Sequence, residues 1–534
     1  MTDFVGGAMR AVGLVRALAG ACCAVPLLLV PGARAQRAAA AVLARSAAHA
    51  GPLWLKLGQW LATRPDLALP ALCARLAVLQ SARGPTCHAL VHTAASLEAL
   101  LLQINDGDDD DKDTPEDVAQ RDHQCFHFER GYFPIHALDI VHSTDVLPAR
   151  PVSCAPDPDG KSGCTVEELD VAPLAGGALA QVHTAVLVHH RGGSSLWPFP
   201  RREDVVVKVL HPGVGARFER SLARFAGGAA ALVRAVPALR WCAIDAAAAQ
   251  FASALAAHAD LRTEHAHLAR FRRNFACTPW RGRVDFPRPC TTRDGCALAA
   301  RTVLVEGRAH GVLLRDALPA LAPRDRRALA QLGARAFLKM ALADRFVHLD
   351  LHPGNVVVRP RAHPRAPVAV TLLDAAAAAP LARPQRDKFV AQARLVLRGR
   401  YAEAADLMVA LAPPCDSSKG CKGSAATTQE TTTARTEFVK EVGEVFREAM
   451  AHRDRLVELP VGAMLHRVQT AARRAHVRLD PGFASVIAAA VVADGVARQL
   501  DPAVDIVTPA AHALARASLR ARIRSIFLRP FGFT

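Results

Sequence analysis

The chain has 534 residues, half of them apolar, which is enough for two or three ordinary domains or for one bilobal unit with insertions. Lys and Arg exceed Asp and Glu by 66 to 49, a formal charge of +17 that suits anionic partners such as nucleotide phosphates or acidic lipid headgroups. Two Tyr, five Trp and no basic block interleaved with aromatics argue against base stacking, so no nucleic-acid partner is expected.

Residues 1–37 read as a targeting segment. The first 65 residues hold one acid, Asp3, against six Arg and Lys56, the acid-poor pattern of an organelle transit peptide. The apolar run Ala17 to Val30 offers a secretory alternative but is short for a membrane span, which needs ~20 residues. Arg10 and Arg16 recur within that apolar pattern, so mitochondrial import is the expectation. Thirteen Cys, none spaced C-x-x-C, imply neither a disulfide framework nor a zinc ribbon.

Residues 38–102 read as a helical extension, broken at Gly51-Pro52 and again at Pro65. From 103 to 165 the acid run "INDGDDDDKDTPED" and the loop "CAPDPDGKSG" read as an insertion. The stretches "LDVAPLAGGALAQVHTAVLVHH" and "EDVVVKVLHPG" predict antiparallel strands. Asp245 to Phe275 predicts one long helix, since it holds no Pro. "RTVLVEGRAHG" and "APVAVTLLD" predict further strands, and residues beyond Pro384 are mainly helical, with a mobile polar tract at 413–437. The sum is an α+β chain of two lobes, β-rich over 166–310 and helical over 311–534. The C-terminal "RASLRARIRSIFLRPFGF" is basic and apolar; it either lies on an anionic membrane or packs on the helical lobe.

"HLDLHPGN" (348–355) carries two readings. As a strand it puts His348, Asp350 and His352 on one face, a plausible metal triad. As a loop it spaces Asp350 and Asn355 by five, like the base and metal-binding Asn of a kinase catalytic loop. Lys208 sits inside an apolar β-branched run, where it is costly to bury unpaired, or else lies on an edge facing solvent. Gly176 and Gly177 fit a turn over a phosphate or an ordinary hairpin. Asp260 and Glu264 are four apart and so share a helix face. Asp374 ends a short apolar strand, as a second metal ligand does. The order of these parts is that of a kinase fold, which favours the loop reading.

"LKLGQWLATRPDLALPALCARLAVLQ", "ALAQVHTAVL", "VVVKVLHPGV", "DLRTEHAHLARFRRNF", "HLDLHPGNVVV" and "DGVARQLDP", in that order over about residues 40 to 505, resemble the UbiB-like atypical kinases, also called aarF-domain-containing kinases. "HLDLHPGN" is most similar to the animal mitochondrial branch. The resemblance implies a bilobal protein-kinase-like fold with a family-specific N-terminal extension, and a site for ATP or ADP with Mg²⁺. By resemblance, Lys208 holds phosphates and pairs with Glu264, Asn355 and Asp374 hold the metal, and Asp350 stands where a catalytic base stands. Lys56 and Gln59 point into the cleft, closing it to protein substrates, and Ala175, Gly176, Gly177 and Ala178 cover the phosphates. An atypical kinase or ATPase supporting coenzyme Q or isoprenoid-lipid metabolism in mitochondria follows, with quinone-pathway proteins and a peripheral membrane contact as partners. A nucleotide-binding scaffold and a lipid-binding accessory protein are the alternatives. Two departures weigh on turnover: the family's E-x-D reads His258-Ala259-Asp260, and Asp374 is followed by Ala375 and Ala376 instead of a Phe-Gly type sequence.

Overall fold

Strands β4 and β5 anchor the first lobe because both are long runs whose alternate positions are apolar and β-branched. The computed structural model of the chain describes residues 152–154, 164–189, 201–211, 216–235, 244–361, 363–410, 428–451, 461–475 and 481–504, apart from a few single positions, together with scattered positions in 38–76 and residue 509. The strands are β1 (Val152–Cys154), β2 (Cys164–Glu167), β3 (Ala175–Gly176), β4 (Ala180–His189) and β5 (Arg201–Leu210). β4 and β5 pair antiparallel from Ala180↔Leu210 to His189↔Arg201. With β7 (Val303–Gly307) the sheet order is β1-β2-β4-β5-β7, and β3 pairs with β4. One face buries Leu187, Val205, Val207, Val209, Val303 and Val305 in a core of its own, and the other, carrying Lys208, turns to the second lobe.

The sheet starts earlier than the sequence predicts. Cys154 pairs with Cys164 and Val152 with Val166, so the final part of the span read as an insertion to 165 is sheet. Its polar loop masked two short strands whose buried residues, Cys164 and Val166, join the core.

Three helices follow: α1 (Ala216–Ala235), α2 (Ile244–His258) and α3 (Leu261–Phe275). The expected single helix from Asp245 to Phe275 is therefore two. Asp260 is not on a helix face with Glu264. It is the N-cap of α3, extended at φ −131°, and its carboxylate accepts the Arg262 amide. α3 carries Leu261, Leu268, Phe271 and Phe275 into the main core, where Phe271 stacks on Phe286 at 4.7 Å and tilts against Phe346 at 4.6 Å.

The second lobe contains β6 (Val284–Asp285) and β8 (Val312–Leu313), then α4 (Leu314–Ala317) and α5 (Pro323–Leu338), which runs into a π-helical turn at Lys339–Asp344. Next come β9 (Phe346–His348), β10 (Val356–Val358), β11 (Val370–Leu372) and β12 (Ala378–Pro380). β10 and β11 form a hairpin in the sheet β6-β11-β10-β8, and β9 pairs with β12. The remaining helices are α6 (Arg383–Leu397), α7 (Tyr401–Ala410), α8 (Thr428–Ala451), α9 (Val461–Arg474) and α10 (Pro481–Leu500). α7, α8 and α9 share a separate core around Phe438, Val442 and Val445. The tract read as mobile to 437 is helical from Thr428, since its polar turns are continuous with that buried stripe.

No helix among the described residues is long and apolar enough to cross a membrane. The targeting segment, the acidic run, Gln59, Ala178 and the basic C-terminal tail lie outside the described residues.

Candidate functional site

Between the lobes, Lys208 of β5 meets two carboxylates. Its Nζ donates to Glu264 Oε1 at 2.8 Å and Oε2 at 2.7 Å, and to Asp374 Oδ1 at 3.1 Å. The lysine side chain is 12% exposed and the Glu264 side chain 1%. Register explains the placement: Lys208 pairs with Leu304 on one side and Val182 on the other, and alternation turns its side chain out of the lobe's own core. Glu264 reaches it from the first turn of α3, which Asp260 fixes as a cap.

The electrostatics are those of charges held out of water. Burial pulls the Lys208 ammonium down, but Asp374 and Glu264 outweigh it and hold the group above its ordinary range. Burial pushes the Glu264 carboxyl up to about 6, against the pull of Lys208. Burial also pushes Asp374 up, but the charges of Lys208, His258 and Lys56 hold it below the usual carboxylate range. Lys56 thus acts on the cleft from the N-terminal extension, where residues 54, 56–58 and 61 are helical. That segment is docked by Leu57 against the main core and by Trp54 edge-on to Phe225 at 6.3 Å. Leu53, Leu55 and Trp60 lie outside the described residues.

Asn355 and Asp374 stand at one end of the β10–β11 hairpin. Val356 pairs with Leu372, and the Leu373 amide donates to the Asn355 carbonyl at 2.8 Å. Asn355 Nδ2 donates to the Asp350 carbonyl at 3.0 Å, which leaves its amide oxygen as the atom for a cation. Asp374 sits at φ 52°, in the left-handed region that Asp tolerates better than most side chains. Both side chains offer the hard oxygen donors that Mg²⁺ takes, which binds through one or two carboxylates or carbonyls plus phosphate and water.

The HLDLHPGN stretch is strand only to His348. His348 is fully buried: Nε2 donates to the Leu373 carbonyl at 3.0 Å, and Nδ1 accepts the Asp350 amide at 3.2 Å. Both ring nitrogens are spent on backbone, so His348 shapes the loop and is not available to a metal. His352 Nδ1 likewise accepts the Gly354 amide at 3.0 Å. Its Nε2 lies 3.8 Å from the Asp350 carboxylate.

Ala175 and Gly176 form β3 and pair with Val182 and Gln181. Gly177 closes the turn by donating to the Ala180 carbonyl at 2.8 Å. The alanines after Asp374 are docked against α3: both are buried, and His267 Nδ1 donates to the Ala375 carbonyl at 2.9 Å. Ala375 also hydrogen-bonds Glu264 through its backbone.

Two residues escaped the sequence reading. His211 Nε2 donates to the Gly177 carbonyl at 2.9 Å, pinning the glycine turn to the end of β5. Glu306 of β7 pairs across from Val206, so it projects from the same sheet face as Lys208. It is 8% exposed, its Oε2 has no hydrogen-bond partner, and burial pushes its carboxyl up to about 8. A Glu inside "VLVEG" is the same signal as the Lys inside "VVVKVL", and it was readable.

Two lobes with a strand lysine salt-bridged to a helix glutamate between them define a kinase-like fold. Comparison with known proteins narrows the class. Residues 160–406 match the ABC1 atypical kinase-like domain. A Dictyostelium discoideum protein described as probable serine/threonine-protein kinase abkC is 22% identical over 526 residues, covering 86% of this chain and 62% of its own length. A mitochondrial ABC1 family protein of Schizosaccharomyces pombe is 23% identical over 530 residues, covering 89% and 65%. A probable protein kinase UbiB of Vibrio cholerae is 26% identical over 318 residues, covering 59% and 44%. Residues 160–406 therefore carry an ABC1 atypical kinase-like domain, and the relatives that the chain resembles are ABC1/UbiB family proteins. The chain spans less than two thirds of the length of each of these relatives.

Proposed function

We propose that the interlobe cleft binds ATP or ADP with Mg²⁺, and that the chain is an atypical kinase or ATPase. The observation that carries this is the three-way contact of Lys208 with Glu264 and Asp374, a buried cation held where the phosphates of a nucleotide would lie. Glu264 orients the ammonium. Asn355 and Asp374 would hold Mg²⁺, whose chemistry is to neutralise phosphate charge. The Asp350 carboxylate, beside His352, is the group placed to accept a proton from an acceptor hydroxyl or water. The β3 turn, tied down by His211, covers the phosphate end.

The acceptor we propose is small or lipidic, in isoprenoid-lipid or coenzyme Q metabolism of mitochondria, a compartment supported by the acid-poor start and by the S. pombe relative. The helix bearing Lys56 stands against admission of a peptide. A nucleotide-binding scaffold without transfer is the second reading, favoured by the positive charge of Lys208, His258 and Lys56 around one metal-binding carboxylate.

Thermal unfolding with and without MgATP tests the site. The wild type should be stabilised and Asp374→Ala should lose that response; equal shifts in both would remove the assignment. Phosphate release without labelling of a peptide library is the expected chemistry. Strong peptide labelling by the intact chain would refute the closed cleft, and no release at all would leave the scaffold.

A further inference from the structure

A second concavity, of about 900 Å³, opens where the end of β7 passes into the second lobe, and none of Lys208, Glu264, Asn355 or Asp374 lines it. Six arginines do: Arg202, Arg272, Arg288, Arg308, Arg359 and Arg361. They face three carboxylates, Glu203, Asp204 and Asp285. Arginines are common in so basic a chain, so the question is whether these are merely neutralised surface charges.

The pairings answer it. Glu203 is taken by Arg288, whose Nε donates at 3.0 Å and whose second nitrogen closes a bidentate pair. Asp285 accepts Arg272 at 2.8 Å and the Phe286 amide at 2.9 Å, with Arg359 at 3.9 Å. Arg202 and Arg361 pair with acids that do not line the cleft, Glu167 and Glu168 for the first and Asp325 for the second. Among the described residues the Arg308 side chain has no ion pair. Arg359 gives Nη2 to the Gly282 carbonyl at 2.6 Å, and its Nε is buried without a hydrogen-bond partner. Arg308 therefore has its donors unspent in a cleft whose own acids are outnumbered two to one.

The floor is built to hold the arginines. The Gly307 amide donates to the Arg288 carbonyl at 2.8 Å, and the Arg308 amide to the Asp204 carbonyl at 3.1 Å. Gly307 packs directly on Arg288 and Glu203, where even a Cβ would reach ordinary contact, 3.4 Å from Arg288 Cβ. Guanidinium forks match phosphate and carboxylate oxygens two at a time. Pockets of roughly 300–1,000 Å³ hold small molecules, not extended chains.

We infer that this cleft is a second, anion-binding site for a phosphate ester, either a free small molecule or a lipid headgroup. Its walls come from both lobes. The inference does not depend on what the interlobe cleft binds.

Calorimetric titration with inorganic pyrophosphate, without metal, is the test. Arg308 is exposed and unpaired, so Arg308→Glu should fold with an unchanged melting temperature. The wild type should bind, and the variant should weaken binding about tenfold or more, the loss expected for a charge-assisted contact. No binding by the wild type, or equal binding by both, would overturn the site. Glycerol 3-phosphate in solution and phosphatidylcholine vesicles doped with phosphatidic acid then separate the sources. Binding of the soluble ester that Arg308→Glu abolishes assigns a free metabolite. Vesicle flotation that the same variant abolishes assigns a headgroup, and insensitivity of both to the variant refutes the site.

Discussion

Strand β5 carries charge at both ends, and the two ends work differently. At the inner end Lys208 is a point charge, nearly dry, locked onto Glu264 and Asp374. At the outer end Arg202 is half exposed and reaches Glu167 and Glu168 across the sheet. The same attraction is many times stronger where water is excluded, and so is the penalty for losing a partner. Depth along one strand, more than residue type, decides which charges can perform chemistry and which can only attract a ligand.

The largest effect should follow Glu264→Ala, which strands Lys208 with Asp374 alone in a dry site. Urea denaturation should show a loss of about 3–5 kcal/mol, and a loss under ~1 would mean that the inner end behaves like the surface. Glu306→Gln comes next and is read through pH. Glu306 keeps its proton in the folded chain up to about 8, whereas its ordinary value is 4.5. Between these values the folded state holds a proton that the unfolded state releases. Its contribution is therefore complete below the ordinary value and falls as pH rises through about 8. Between roughly pH 5 and 7.5, wild-type stability should fall relative to Glu306→Gln by on the order of 1 kcal/mol per pH unit. Parallel pH profiles for the two proteins would show Glu306 ionised and hydrated instead. The smallest effect belongs to Arg202→Ala, ~0–1 kcal/mol by the same denaturation, as for exposed pairs generally. A cost comparable to Glu264→Ala would erase the contrast between the two ends.

Sequence made part of this legible for a physical reason. Lys208 interrupts an apolar run and Asp374 ends one, so both stood out locally, whereas Glu264 and Asn355 were marked only by spacing, and the order of the four suggested one cleft. What local pattern could not carry was a boundary set by distant pairing. Asp260 looked like a face residue because helix period says nothing about where the helix begins, although Asp before "LRTE" is a capping signal. Cys154 and Cys164 looked like loop because the strands that they pair lie across a polar turn. The arginine cleft was invisible, since it gathers Arg202, Arg272, Arg308 and Arg359 from four separate segments.

The two alanines after Asp374 have a further consequence. Kinase-like proteins with a flexible residue there can be regulated by swinging the metal-binding aspartate out of the site, an order–disorder switch. Here that motion would pull Ala375 and Ala376 from the core and break the His267 contact along with the backbone bond to Glu264. On the proposed reading the resting chain would keep Asp374 in place, and control would pass from a moving segment to the arrival and departure of ligands. A cleft of this kind is timed by exchange with its surroundings rather than by a latch of its own.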